Sequence, residues 1–262
     1  MKACLLAAAV LCLGGVLSAV EAPNAAVEAL ANDAKAPPAL TAETPAPEVL
    51  RICRAMLPAH PVELKGSLIL RSRKGIVARE YDYRLVMRRG VDVSLLAIHL
   101  MPRGETNEIA AVTVTRRPGV RPAIRLARAG AAEAEVIDSP LARVLETDVT
   151  WLDLTFDFLW WPDAAYEADR EGESVHGQTC VVILVKPDAA IDGLSAVRLW
   201  VDKKTGCLMQ AEQVDASGKP IRRLWGTRVK KMDGRWMVSV LEVETLGSRH
   251  RTKITVDALR DL

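Results

Sequence analysis

Apolar and polar residues alternate with period two along most of this chain, and that pattern predicts strands. The clearest run is C-terminal: Ser195–Asp202, Leu208–Val214, Ile221–Val229, Arg235–Thr245 and Thr252–Asp257. The turns between the first four are short and carry Gly, Asp and Lys, at 202–206, 215–219 and 232–234. Regular strands joined by such turns predict an antiparallel meander with no βαβ crossover. A meander with one apolar face must cover it, by closing into a barrel or by taking in a helix or a ligand.

The N-terminal half repeats the pattern. Val62–Ser72 sets Val62, Leu64, Leu68 and Leu70 against Glu63, Lys65, Ser67 and Arg71. A turn at Arg73-Lys74-Gly75 leads to Ile76–Arg88, where Val77, Tyr81, Tyr83, Leu85 and Met87 mostly share a face. Gly90 and then Arg103-Gly104-Glu105 turn the chain into Val93–Met101 and Glu108–Arg116. Pro118, Gly119 and Pro122 interrupt the pattern; Ala123–Ala127 fits a further strand, and the Ala-rich Arg128–Glu135 fits a loop or a helix.

Between the halves the texture changes. Asp148 or Thr150 can N-cap a short helix, with Asp153 suited to its dipole. Trp151, Leu154 and Phe158 then share a face at spacings of three and four, and Pro162 ends the segment. Half of the six tryptophans and both phenylalanines fall here, in a chain with 4% aromatics. So apolar a helix needs a cover, and the concave side of a curved sheet supplies one. It either plugs the core or forms a lid over a hydrophobic cavity.

The first residues bear on compartment. Lys2 and the apolar stretch Leu5–Leu13 read, over residues 1–22, as a secretory signal peptide. Cys12 raises a lipid anchor, which Leu11 disfavours because a small residue is needed there. No other stretch is long and apolar enough to span a bilayer. Residues 23–47 form an Ala/Pro-rich flexible leader, ending in a short helix at Glu48–Leu57. Residues 48–262 are enough for one domain with its own core.

Net charge is +2, from 35 basic and 33 acidic residues, which points to neither nucleic acid nor an acidic membrane as partner. Cys53, Cys180 and Cys207 are an odd number for an exported chain, so at least one is unpaired within it. With one strand between them, Cys180 and Cys207 would lie about 10 Å apart, too far to bridge. Cys53 on the N-terminal helix can meet either one, and buried unpaired thiols are the simpler reading. The histidines His60, His99, His176 and His250 are scattered, without metal-ligand spacing. No G-x-S-x-G or G-x-G-x-x-G occurs. Asp148, Asp153 and Asp157 are explained by capping and surface roles. No catalytic residue, metal site or cofactor is expected.

Several segments, in order, resemble the LolA-like outer-membrane lipoprotein-sorting family. They are the helix leading into Leu64-Lys65-Gly66-Ser67-Leu68-Ile69-Leu70-Arg71, then Thr147-Asp148-Val149-Thr150-Trp151-Leu152-Asp153-Leu154. Gly177-Gln178-Thr179-Cys180 follows, with its strand to Lys186-Pro187, and then Val197-Arg198-Leu199-Trp200-Val201-Asp202-Lys203. Last come 210–220 and Gly234-Arg235-Trp236. The resemblance covers roughly residues 48–259. Glu146 stands where the family usually has Gly, and 117–137 has no clear counterpart.

The resemblance implies a mainly β fold: a half-open antiparallel β-barrel, its concave face lined with apolar side chains and covered by short helices. It implies a periplasmic, non-enzymatic, monomeric carrier of lipoprotein acyl chains or another lipid, with inner- or outer-membrane protein partners. Acyl chains favour leaving water by about 0.8 kcal/mol per CH₂, so they cannot cross an aqueous gap unshielded. Ligand-lining candidates are Trp151, Leu154, Phe158 and Trp160 on the lid, and Leu68, Tyr83, Trp200, Trp225 and Trp236 on the sheet. Val197, Leu199 and Val201 face away from Trp200, and the pattern alone does not say which set is concave. The alternative is a protein-interaction or envelope-sensing module of the same fold whose cavity is filled by its own side chains.

Overall fold

A computed structural model describes residues 39–262 apart from 73, 91–92, 118–119 and 233–234, with no side-chain description at 168, 229, 235 and 236. The expected signal peptide, most of the expected leader and Cys12 lie outside the described residues. So do Arg73, Pro118, Gly119 and the 233–234 part of the last hairpin turn.

The strands form one antiparallel sheet built from two meanders. The first runs β1 (Val62–Ser72), β2 (Val77–Arg88), β3 (Ser94–Pro102), β4 (Ala110–Arg117), β5 (Val120–Arg128) and the short β6 (Glu135–Ile137). The chain then crosses to the opposite edge. There β7 (Asp163–Tyr166) and β8 (Ser174–Val175) both pair with β9 (Gln178–Lys186). The second meander returns through β10 (Ala196–Asp202), β11 (Leu208–Val214), β12 (Pro220–Met232), β13 (Arg235–Thr245) and β14 (His250–Asp261). The two meanders join where β14 pairs with β1. The order is β6-β5-β4-β3-β2-β1-β14-β13-β12-β11-β10-β9-β7, and the edges β6 and β7 do not meet, so the sheet stays open.

Two short helical segments cover the concave face. Helix α1 (Ala46–Ala55) starts after Pro45, two residues earlier than the sequence pattern predicts, and buries Val49, Leu50, Ile52 and Cys53. Its seat is tight: a Cβ at Gly206, in the turn between β10 and β11, would lie 2.4 Å from Ile52 Cγ2. Gly206 also has φ +70°, a region other L-residues avoid.

The crossover holds α2 (Trp151–Thr155) and a 3₁₀ turn (Asp157–Trp160). The periodicity predicts one helix through this segment; the structure breaks it at Phe156, which takes a left-handed conformation with φ 50°. The break has a packing consequence. Trp151 and Phe158 go into the core, at 2% and 1% exposure, while Leu154 and Phe156 turn elsewhere and stay half-buried. Thr150 is the N-cap, and with Asp153 it forms a reciprocal capping box.

The main core lies between the concave face and these helices. Val197, Leu199 and Val201 point into it. Trp200 points to the outer face, into a smaller cluster with Val175, Cys180, Val182 and Met209. Every residue of β10 is therefore buried.

Candidate functional site

An apolar cavity of about 250 Å³ lies between the sheet and its helical cover. The sheet contributes Leu64, Leu85, Met87, Leu96, Val114, Leu224 and Leu241. Helix α1 contributes Cys53 and Met56, and the crossover contributes Leu154, Phe156, Leu159 and Trp160. The wall is almost wholly hydrocarbon, the chemistry that takes an alkyl chain out of water.

A buried polar pin fixes the crossover to the sheet. Asp153 Oδ2 accepts from Thr150 N and Thr150 Oγ1, both at 2.8 Å, and from Arg222 Nη2 at 2.6 Å. Asp153 Oδ1 accepts from Gln213 Nε2 at 2.9 Å. Arg222 also donates to the Asp148 carbonyl and, at 2.7 Å, to Thr245 Oγ1. Thr252 Oγ1 accepts from the Asp148 N–H at 2.9 Å. Strands β11, β12, β13 and β14 thus all hold α2 and the residues before it.

A polar cleft of about 440 Å³ adjoins the apolar cavity; Ser94, Arg116, Thr155 and Trp160 line both. Arg116 is held by Asp157, with Nε–Oδ1 at 2.8 Å, and its guanidinium lies 3.8 Å over the Trp160 ring. Arg54 Nη1 donates to the Leu159 carbonyl at 2.6 Å, tying α1 to the crossover. Arg89 Nη1 donates to the carbonyls of Arg54 and Leu57 at 3.1 and 3.2 Å.

The predicted ligand-lining residues separate into groups. Leu154, Trp160 and Trp225 line the apolar cavity. Leu68 and Phe158 are in the main core, Phe158 packed edge-on against Phe156 and Trp161. Trp151 faces another hollow, beside Tyr81, Leu100 and Leu126. Tyr83 is buried in the core and donates to the Thr255 carbonyl at 2.8 Å. Trp200 is on the outer face, its Nε1 donating to Glu173 at 2.8 Å. Trp236 lies in β13, and its side chain is outside the described residues. Phe156, Leu159 and the wall positions Leu64, Leu85, Leu96 and Leu241 were not singled out by sequence. Strand alternation marks the four leucines as inward-facing but does not separate cavity wall from packed core.

Cys53, Cys180 and Cys207 are free thiols. Cys53 and Cys207 both line the apolar cavity, and Cys53 Sγ lies 3.4 Å from the Gly206 carbonyl. Burial pushes the Cys53 thiol up to about 12 and Cys180 to about 11, so both stay protonated and unreactive near neutral pH. Cys207 is only half-buried. Iodoacetamide applied to the folded protein is expected to label Cys207 first, leaving Cys53 and Cys180 unmodified until denaturant is added. Peptide mapping reads this directly; labelling of all three at equal rates contradicts the burial described.

Among the described residues, no group of three or more His, Cys, Asp or Glu is placed to hold a metal ion, and no helix is long and apolar enough to cross a membrane.

Residues 138–260 match a family model described as "Uncharacterized protein". No curated protein matches the sequence. Solved structures resemble the fold over most of the chain. A DUF1329 family protein from Desulfovibrio piger aligns with TM-score 0.71 at 17% identity, over 82% of this chain and 91% of its own. An outer membrane lipoprotein-sorting domain from Vibrio parahaemolyticus aligns with TM-score 0.71 at 15% identity, over 82% and 92%. A LolA superfamily protein from Nitrosomonas europaea aligns with TM-score 0.62 at 14% identity, over 83% and 94%. The chain has the open LolA-like fold.

Proposed function

We propose that this protein is a non-enzymatic carrier that binds acyl chains of a lipoprotein or another lipid, after export to the periplasm. One observation carries the reading: an apolar cavity between the concave sheet and its helical cover, with Leu154, Phe156 and Leu159 on one side and Leu85, Leu96 and Leu241 on the other. A cavity of this lining binds by removing hydrocarbon from water and needs no chemistry. The Vibrio structure, described as an outer membrane lipoprotein-sorting protein domain, supports the choice of acyl chains as cargo.

Fluorescence titration with a fatty acid probe tests the reading. The wild-type protein is expected to take up the probe. Leu154→Asp, which sets a charge in the apolar wall, is expected to weaken uptake at least roughly tenfold while its melting curve shows a folded protein. Wild-type protein that takes up no probe overturns the reading.

A second reading is favoured by one dimension. At about 250 Å³ the apolar cavity falls just below the roughly 300–1,000 Å³ of common ligand sites. An envelope interaction module of the same fold, its cavity narrowed by Leu154, Phe156 and Trp160, fits that size. The same titration separates the two, since only the carrier takes up the probe.

A further inference from the structure

Three arginines come together where the apolar cavity meets the polar cleft. Arg54 lies on α1, Arg89 just beyond β2, and Arg116 near the end of β4. Arg54 and Arg116 line the cleft, and Arg89 and Arg116 line the cavity. One half-buried carboxylate serves them: Asp157 pairs with Arg116. Among the described residues, Arg54 and Arg89 make hydrogen bonds only to carbonyls, with no carboxylate partner. The other charges on the cleft, Arg117, Arg121, Asp138 and Asp188, are exposed and balanced in sign.

Guanidinium groups removed from water without counter-charge are costly; here carbonyls at the end of α1 and in the crossover take part of the donors of Arg54 and Arg89, and their charge has no carboxylate beside it. Burial, followed by the nearby Arg54 and Arg116 charges, pulls the Arg89 guanidinium below its ordinary value. The cleft therefore offers forked donors to an anion, beside an opening into hydrocarbon.

We infer that the cleft is the headgroup site of an anionic amphiphile, with a phosphate or carboxylate held by Arg54, Arg89 and Arg116 and its chain in the apolar cavity. This rests on the acyl-binding reading above and narrows the class of ligand. Arg116, stacked on Trp160 and lining both spaces, marks the point where head and tail meet.

The test is competitive lipid loading. Purified protein is incubated with mixed vesicles of phosphatidylglycerol and phosphatidylcholine carrying identical acyl chains, re-isolated, and its lipid extracted and weighed by mass spectrometry. The expected result is enrichment of phosphatidylglycerol by at least roughly tenfold, the effect of about one charge-assisted hydrogen bond. Arg89→Met and Arg116→Gln are expected to lose that preference. The wild-type comparison stands even where a variant fails to fold. Equal loading of both lipids by wild type overturns the headgroup assignment and leaves the carrier reading intact. Loading of neither overturns the carrier reading itself. Glycerol 3-phosphate binding as tightly as the lipid would show a site for free phosphate and overturn the amphiphile.

Discussion

Asp153→Ala is expected to destabilise the protein by about 3–5 kcal/mol, the cost of breaking a buried ion pair by removing one partner. Asp153 and Arg222 are 3% and 7% exposed, so solvent does not screen the loss. The substitution leaves Arg222 buried without its carboxylate, removes the acceptor of Gln213, and dissolves the capping box of α2. For a chain of this size, that loss lowers Tm by very roughly 6–20 °C. The check is thermal unfolding followed by circular dichroism. Removing both charges, as Asp153→Ala with Arg222→Met, is expected to cost less than the two single changes added together, because the orphaned cation is then gone. A single variant that melts with the wild type would mean the crossover is not pinned through Asp153.

Gly66→Ala is expected to cost about 3 kcal/mol or more, toward the upper end for overpacking. Gly66 lies where β1 joins β14, at the point where their register shifts. A Cβ there would stand 1.8 Å from the Thr255 carbonyl oxygen and 2.9 Å from the Tyr83 hydroxyl. The first neighbour is backbone, so relief requires moving one strand against the other. Among the described residues, that seam alone joins the two meanders through paired strands, so its disruption is not local. Tyr83 closes over the glycine and donates to that same carbonyl. Tyr83→Phe, which keeps the ring and loses the donor, is expected to cost only about 1–2 kcal/mol. Urea unfolding of both variants separates the steric effect from the hydrogen bond; a Gly66→Ala protein as stable as the wild type contradicts the close approach.

Most strands were legible because period-two alternation is a local signal. Val62–Ser72, Leu208–Val214 and Arg235–Thr245 fall where the pattern places them. The pairing of β1 with β14 was not legible, since alternation states which face a residue takes and not which strand lies beside it. The edge strand Asp163–Tyr166 is too short, with two alanines at its centre, to announce itself. The single helix expected over the crossover fails at Phe156, because spacings of three and four do not register one left-handed residue between them. Trp200 and its neighbours in β10 defeated face assignment for another reason. The segment around β8 covers the outer face, so both sides of that strand are buried.

The candidate site was legible in part. The aromatic concentration at 151–161 points to the cover of the sheet, and Leu154 and Trp160 do line the apolar wall. The arginine cluster was hidden because its members lie on three separate segments, each resembling an ordinary solvated cation near an element's end. Only the topology assembles two of them: β2, β3 and β4 run antiparallel side by side, with Arg88 opposite Leu95 and Ser94 opposite Arg116, so the end of β2 and the end of β4 share one rim. Helix α1 then brings Arg54 to the same place.

Native mass spectrometry of the protein isolated gently from its native cells, with extraction of whatever it carries, tests the central claim most directly. The account predicts an acylated species bound to the wild-type chain and lost from Leu154→Asp. Only the bare protein mass, unchanged after incubation with lipid vesicles, would contradict it.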